Sequence, residues 1–220
     1  MASNGMTDPK TLLDHLLIGA RTLESGIEWL EAKTGIRAVA GGSHPGLGTW
    51  NALASLGSGQ YIEIISPDPT QPGLPTFYVP RLRDFVEPRI ATWAARGTSL
   101  NESFPGTLPE PLSCAPPRQG SRVGPDGVRL VWSLAFPKHR EHGAFGGALP
   151  FLIEWESANA HPSLTTPAGL SIHSLSLGHP EALVLGEALS ALGIKDAIRS
   201  TEAPSIEVEL NTPKGRARLS

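Results

Sequence analysis

The sequence predicts an α+β protein whose open, curved and mostly antiparallel sheets are built from repeated β-α-β-β-β units. A spacing that occurs twice is the first sign of this repetition. His15 lies 20 residues before Gly35, and His173 lies 20 residues before Gly193. Each histidine sits in a short apolar run, and a helix-like segment follows each run. Because internal repeats indicate duplicated units, we expect two copies of a strand-helix unit with a histidine in the strand.

A second repeated spacing extends the duplication to the strands that follow. Gly42-Ser43 precedes Ser55-Leu56 by 12 residues, and Gly120-Ser121 precedes Ser133-Leu134 by the same distance. Both intervals contain a Gly/Pro turn and a strand that carries a tryptophan. The next strand also repeats, first as Ile62-Glu63-Ile64 and then as Ile153-Glu154-Trp155. Each copy places one carboxylate between large apolar residues, so we expect the two strands to be equivalent.

Residues 10–68 form the first predicted module. Its helix is amphipathic, with apolar residues three and four positions apart, and Gly35 is the expected C-cap. Its last two strands form a hairpin across a Gly-Ser-Gly turn. The predicted elements are strand 12–18, helix 22–33, and strands 36–40, 49–56 and 60–65.

The rest of the chain is predicted to hold a connector, a second module and a C-terminal unit. Residues 69–88 are a Pro-rich connector with one short helix. Residues 89–157 form a second βαβββ-like module with long loops, in which residues 90–95 are the first strand. Residues 168–220 form a strand-helix-hairpin unit that is expected to complete the sheets.

Composition and charge exclude several classes of partner. With 40% hydrophobic and 18% charged residues among 220, the chain has the composition of a globular protein. Its net charge of −3 includes no concentrated basic surface, so no nucleic acid is expected. The sequence has neither a signal peptide nor an apolar run long enough to span a bilayer, which predicts a cytoplasmic protein without a membrane partner.

Several motifs occur in the order that is typical of one family. They are Leu13-Asp14-His15-Leu16-Leu17, residues 41–53, residues 61–67, Gly120-Ser121-Arg122, residues 125–127 and residues 149–155. On these motifs, which cover most of residues 12–156, the chain resembles the glyoxalase-like domain proteins of the vicinal oxygen chelate superfamily. The resemblance implies a glyoxalase/bleomycin-resistance-like fold, in which paired βαβββ modules curl into half-barrels and form a cup around a divalent metal ion.

The resemblance also implies a set of metal ligands. In such proteins, a His or Gln from the first strand and a Glu from the fourth strand of each module hold the metal. Carried over to this chain, the ligands are His15 and Glu63 in the first module and Glu154 in the second. Strand 90–95 offers no ligand, so either that ligand is missing or His173 replaces it, as the repeated spacing favours. Such a set suits Zn, Ni, Mn or Fe ions.

The expected chemistry centres on the two glutamates. A metal polarises a substrate carbonyl, and a glutamate that can detach from it would shuttle protons, which makes Glu63 and Glu154 the candidate catalytic residues. The candidate substrate contacts are His44, Trp50, Asn51 and Trp155. Each candidate has a purely structural alternative, such as a buried histidine bonded to the backbone or a glutamate on an outward strand face. No G-x-S-x-G, H-E-x-x-H or paired C-x-x-C motif points to another chemistry.

Two functions from different classes stay open at this point. The first is a metal-dependent lyase, isomerase or dioxygenase-like enzyme that acts on a small molecule with vicinal oxygens. The second is a non-catalytic protein that binds a small molecule in the same cup without metal, as antibiotic-sequestering relatives do. The tryptophans favour the second function, because aromatic walls bind flat apolar ligands. The oligomeric state is also open, with a homodimer as one alternative.

Overall fold

The structure is a computed structural model that describes residues 12–76, 79, 81–97, 100, 114–123, 127–137, 144–157, 161–194 and 198–220. Two α-helices and twelve β-strands are found in these ranges. They are β1 (Leu13–Gly19), α1 (Leu23–Thr34), β2 (Val39–His44), β3 (Thr49–Gly57), β4 (Gln60–Pro67), β5 (Arg89–Arg96), β6 (Arg118–Val123), β7 (Arg129–Ala135), β8 (Phe151–Trp155), β9 (Ser171–His179), α2 (Ala182–Ala191), β10 (Arg199–Ser200), β11 (Ser205–Thr212) and β12 (Gly215–Leu219).

Eight strands form one mixed sheet with the order β2-β3-β4-β1-β5-β8-β7-β6. In each half, the first strand lies parallel to the last strand of that half, as β1 with β4 and β5 with β8. Antiparallel pairing of β1 with β5 joins the two halves. The predicted α+β fold with two repeated modules is therefore confirmed.

Helix α1 follows from local sequence. The hydroxyl of Thr22 caps its first turn by accepting a hydrogen bond from the Ser25 amide at 3.2 Å. Gly35 ends it in the left-handed region, with φ of 82°, where glycine carries no steric penalty. The apolar stripe of Leu23, Ile27 and Leu30 is buried, and it packs in the core on the convex side of the sheet.

The eight-stranded sheet curves so that its two end strands approach each other. Arg122 on β6 donates a hydrogen bond from Nη1 to the backbone oxygen of Gly41 on β2, at 2.7 Å. One core lies inside the resulting cup and includes Leu17, Ala94 and Ile153. A separate and larger core lies outside it, under α1 and the second sheet.

The C-terminal residues form a separate sheet with the order β10-β9-β11-β12. In the cup modules, the first strand pairs with the last, whereas β9 pairs with β10 and β11 and not with β12. This unit therefore does not complete the first sheet, and the spacing shared by His15 and His173 does not mark another copy of the module. The second sheet instead covers the convex side, where Val208 and Leu210 join the outer core.

None of the helices in these ranges is both long and apolar enough to span a membrane.

Candidate active site

A small cavity of about 30 Å³ lies inside the cup. This volume holds one or two water molecules before any side chain moves. The first half of the sheet supplies most of its polar lining, namely His15, His44, Asn51, Tyr61 and Glu63. The second half supplies mainly apolar and aromatic lining, namely Trp132, Leu134, Phe151, Ile153 and Trp155, together with the cation Arg122. The two equivalent halves therefore carry different chemistry.

Strands β1 and β4 bring His15 and Glu63 together. The two strands are parallel neighbours, and His15 lies opposite Tyr61. Because alternate side chains of a strand point to the same face, Tyr61 and Glu63 both lie on the concave face with His15. The Nε2 atom of His15 lies 3.3 Å from Oε2 of Glu63. The ring of Tyr61 stacks on the imidazole, with the ring centroids 4.5 Å apart, and this fixes the plane of the His15 ring.

A β-bulge in β1 brings Asp14 to the same side of the sheet as His15. Leu13 pairs with Ala95 and His15 pairs with Ala94, so Asp14 is the extra residue on β1. Without the bulge, strand alternation would point Asp14 to the opposite face. Its Oδ1 atom instead lies 2.9 Å from Nδ1 of His15.

Other groups hold the Asp14 carboxylate in place. The indole nitrogen of Trp155 donates to it at 3.3 Å, and Nε2 of His161 lies 3.2 Å from Oδ2. The Arg96 guanidinium lies 3.6 Å from the same oxygen. The carboxylate is therefore buried but well compensated.

His15 carries a proton on both ring nitrogens. Each nitrogen faces a carboxylate, and an ionised carboxylate only accepts hydrogen bonds. Burial alone would lower the pKa of His15, but the hydrogen bonds and charges of Asp14 and Glu63 raise it to about 9. Burial alone would raise the pKa of both carboxyl groups. His15 nevertheless lowers the pKa of Glu63 to about 2 and holds the pKa of Asp14 well below its usual range. The site thus holds a buried imidazolium between two anions.

His44 has the opposite protonation state. The amide of Asn51 donates to Oε1 of Glu63 at 2.7 Å and lies 3.1 Å from Nε2 of His44. Because Nε2 faces a donor, it is the acceptor, and the proton of the neutral ring is on Nδ1, which lies 2.9 Å from Oγ1 of Thr49. Burial and the Arg122 charge lower the pKa of His44, and together they outweigh the attraction of Glu63.

The structure brings five of the eight predicted site residues to the cavity. They are His15, His44, Asn51, Glu63 and Trp155. Trp50 alternates with Asn51 on β3 and packs against the outer core. Glu154 alternates with Ile153 on β8, and its Oε2 accepts a hydrogen bond from the Leu100 amide at 2.8 Å. His173 lies on β9 of the second sheet, where its side chain is 43% exposed and 4.0 Å from Glu209.

The strand register explains why Glu154 is not in the cup. Leu53 of β3 pairs with Glu63, and the equivalent hairpin of the second half pairs Leu134 with Ile153. The counterpart of Glu63 is therefore Ile153, one residue before Glu154. A shift of one residue moves a strand side chain to the other face of the sheet. The predicted equivalence of the two Ile-Glu strands is wrong by this single step.

The residues brought together do not fit the metal that the resemblance implies. The second half places Ala94 and Ile153 at the positions equivalent to His15 and Glu63, and neither side chain can bind a cation. In the first half, the Asn51 amide hydrogens point at both Glu63 and His44, where a shared cation would need lone pairs. Within the described ranges, no three His, Cys, Asp or Glu side chains are arranged to hold a metal ion.

Four residues with polar side chains at or beside the cavity, namely Asp14, Tyr61, Arg122 and His161, were not predicted from the sequence. The bulge that turns Asp14 inward and the loop that brings His161 to it leave no clear sequence signal. The sequence does contain a signal for Arg122, because this residue follows Gly120-Ser121 just as His44 follows Gly42-Ser43 in the repeat. Tyr61 was also predictable, since it shares a strand face with Glu63.

The glyoxalase-like domain family matches residues 13–193 of the chain. The chain belongs to this family. The match confirms the predicted resemblance to the vicinal oxygen chelate superfamily, and the two-module cup is consistent with it. No curated protein shows a significant sequence match.

Solved structures align with this glyoxalase-like domain protein at low sequence identity, and the first of them shares its fold. A hypothetical protein from Staphylococcus aureus aligns with a TM-score of 0.61 and 15% identity, covering 94% of this chain and 84% of that one. Methylmalonyl-CoA epimerase from Mycobacterium tuberculosis aligns with a TM-score of 0.41 and 24% identity, over 72% of this chain and 99% of that one. The Q60A variant of Streptomyces coelicolor methylmalonyl-CoA epimerase, in complex with 2-nitronate-propionyl-CoA, aligns with a TM-score of 0.43 and 14% identity. The alignment covers 66% of this chain and 97% of that one.

Proposed function

We propose that this glyoxalase-like domain protein is an enzyme that moves a proton at a carbon next to a carbonyl group of a small molecule. The observation that carries the proposal is the pair of buried histidines at one cavity. Hydrogen-bond partners make His15 a donor at Nε2 and make His44 an acceptor at Nε2. Two titratable groups whose surroundings favour opposite protonation states are suited to act as acid and base.

The proposed reaction uses both histidines at once. The substrate C–H bond breaks, and its proton goes to Nε2 of His44, where it replaces the hydrogen bond from the Asn51 amide, while the electron pair of the C–H bond forms an enolate. The enolate oxygen accepts a hydrogen bond from Nε2–H of His15, in place of the long contact to Glu63. Where the reacting carbon carries a hydroxyl group, the intermediate is an enediolate. Return of the proton from His44 to the neighbouring carbon, with the hydroxyl proton passing from one enediolate oxygen to the other, completes an isomerisation.

Glu63 and Asp14 have supporting roles in this scheme. Both hold His15 in its charged form, and Asp14 also fixes the ring by its bond to Nδ1. Glu63 is a weak base with its lowered pKa, which favours His44 as the proton acceptor. The proposed catalytic residues are therefore His15 and His44, and Asp14 is a positioning residue.

Hydrogen-deuterium exchange tests the proposal. The protein is incubated in D₂O with hydroxyacetone, methylglyoxal or pyruvate, and proton NMR follows the loss of signals next to the carbonyl. We expect exchange with at least one compound, and a fall of roughly 100-fold or more in His15→Asn and in His44→Asn, because general acid-base groups contribute at least that much. Circular dichroism confirms that both variants fold. Equal exchange in the wild type and both variants would refute the assignment.

The metal dependence expected from the sequence stays a prediction, and metal analysis tests it. Untagged wild type, His15→Ala and His173→Ala are incubated with Zn²⁺, Ni²⁺, Mn²⁺ or Fe²⁺ and then desalted. One tightly bound equivalent in the wild type would support metal dependence and contradict the poor fit of the residues at the cavity. Loss of the bound metal in His15→Ala but not in His173→Ala would indicate a metal site in the cup to which His173 does not contribute.

The apolar half of the cup favours a second candidate function, a binding protein without catalysis. Trp132 and Trp155 lie with their ring centroids 5.6 Å apart, and Phe151 lies on the same strand face as Trp155. Such surfaces bind flat apolar ligands. Tight binding of aromatic dyes by a protein that shows no exchange with any carbonyl compound would favour this function. Both candidates share a small molecule as the partner.

A further inference from the structure

Arg122 is a buried cation at the wall of the cavity. Its side chain projects from β6 into the cup, and only 8% of the residue is exposed. The structure gives it one hydrogen bond, from Nη1 to the backbone oxygen of Gly41. A guanidinium has five N–H donors, so the described residues use only a small part of its capacity to donate hydrogen bonds.

The charge of Arg122 has no carboxylate partner among the residues that the structure describes. In the part of the chain that the structure describes, no Asp or Glu oxygen lies within the 4.0 Å of an ion pair. Two exposed arginines show what such a partner looks like, since Arg37 has Glu31 at 2.6 Å and Arg199 has Glu207 at 2.7 Å. Burial of a charge without a counter-charge is costly, so the arrangement calls for an anion from outside the chain.

The position of Arg122 relates it to the proposed base. In the register of the two halves, Arg122 pairs with Leu130 and His44 pairs with Thr49, and these are equivalent steps of the two hairpins. The two side chains therefore extend into the cavity from the two strands that meet where the cup closes. Burial lowers the pKa of His44, and the charge of Arg122 lowers it further. A substrate held by Arg122 would thus lie beside the proton acceptor.

We infer that Arg122 binds a carboxylate group of the substrate, and that the substrate is a small 2-oxo acid. This inference rests on the proposed function, which supplies the carbonyl next to the reacting carbon. A planar guanidinium matches the two oxygens of a carboxylate in a bidentate pair. A phosphate dianion fits less well, because Asp14 and Glu63 already place two negative charges in the cup. The cavity volume also favours a compact acid over a long one.

Binding of matched neutral and anionic compounds tests the inference without turnover. Saturation-transfer NMR gives the dissociation constants of pyruvate, of its neutral methyl ester and of inorganic phosphate. We expect the wild type to bind pyruvate at least 10-fold more tightly than either of the other two. In Arg122→Gln, the preference for pyruvate over its ester should fall to about one.

Two further variants separate the charge of Arg122 from its structural bond to Gly41. Arg122→Lys keeps the charge and should keep a preference for the acid, although a weaker one because the planar fork is lost. Arg129→Gln removes an exposed arginine from the neighbouring strand β7 and should bind pyruvate as the wild type does. If Arg122→Gln does not fold, the comparison of acid with ester in the wild type still decides the matter.

The outcomes are distinct from those of the proposed function. Equal binding of acid and ester, tighter binding of phosphate, or unchanged pyruvate affinity in Arg122→Gln would overturn the carboxylate assignment. Exchange of hydroxyacetone protons with no preference for acids would overturn this inference and leave the proton-transfer proposal intact. Selective binding of pyruvate through Arg122, without hydrogen-deuterium exchange of any compound, would overturn the proton-transfer proposal and leave the carboxylate assignment intact.

Discussion

His15 shows how a few contacts determine the chemistry of one residue. Desolvation works against its charge, but Asp14 and Glu63 bind opposite nitrogens of the ring and outweigh that effect. The aromatic rings of Tyr61 and Phe151 exclude water from both sides. The balance depends on all three ionised groups together, so removal of one carboxylate should change the protonation state of the histidine.

The pKa of His15 is open to direct measurement. Nitrogen-proton NMR of the imidazole should show a fully protonated ring up to about pH 8 and titration near 9 in the wild type. In Asp14→Asn, the titration should move down toward neutral pH, because one of the two stabilising anions is gone while burial persists. Asp68→Asn, which removes an acid outside the cavity lining, serves as the control. A wild-type ring that is neutral at pH 7 would contradict the imidazolium assignment.

The same shift makes stability depend on pH. The folded-state pKa of His15 is raised from 6.5 to about 9, so its contribution is fully present below 6.5 and is lost as the pH rises through 9. The titratable groups that face it are Asp14, Glu63 and Tyr61. We expect the melting temperature of the wild type to fall between pH 6.5 and 9, and that of His15→Gln to change less over this range. Equal slopes in both proteins would argue against the linkage.

At the scale of elements, local sequence rules predicted which helices and strands form, but they did not predict the register between strands that are distant in sequence. The helix of the first module, its glycine cap and its hairpin were readable because capping and apolar periodicity act within a few residues. The bulge at Asp14 and the step from Ile153 to Glu154 were not, because register depends on partners far away in sequence. The structure brings the predicted His15 and Glu63 of the first half to the cavity, and Trp155 of the second half, whereas Glu154 lies outside it.

The N-cap of α1 offers a test at this scale. Thr22→Ala removes the hydroxyl that accepts from the Ser25 amide, so we expect a loss of about 1 kcal/mol in the free energy of unfolding. Urea denaturation followed by circular dichroism measures it. Glu28→Ala, at an exposed position in the middle of the same helix, should change stability by no more than about 0.5 kcal/mol. An equal effect of both substitutions would show that the cap is not the cause.

For the whole molecule, the important feature is the core that the two sheets share. Leu210 of the second sheet is fully buried in it, together with residues of α1 and of the convex side of the first sheet. Backbone hydrogen bonds join the same parts, from Ser55 to the Pro167 oxygen at 2.8 Å and from Ile90 to the Ser220 oxygen at 3.2 Å. The cup should therefore unfold together with the sheet that covers it.

A substitution far from the cup tests this cooperativity. Leu210→Ala should lower the free energy of unfolding by roughly 2–5 kcal/mol, the cost of a core cavity. All five tryptophans lie on the first sheet or on α1, so their fluorescence reports on these elements and on the core that they share with the second sheet. The fluorescence transition should shift as much as the circular dichroism transition. Leu183→Ala, at a position that is 85% exposed, is the control. Two separate transitions would show that the sheets unfold independently.

The unequal lining of two equivalent half-barrels has a stereochemical consequence. The backbone of the cup is nearly two-fold symmetric, yet imidazoles and a carboxylate line one half while indole and phenyl rings line the other. A planar intermediate between them would meet a proton donor or acceptor on one of its faces and hydrocarbon on the opposite face. Deuterium taken up from the solvent would then enter a single prochiral position, so the product would have one handedness.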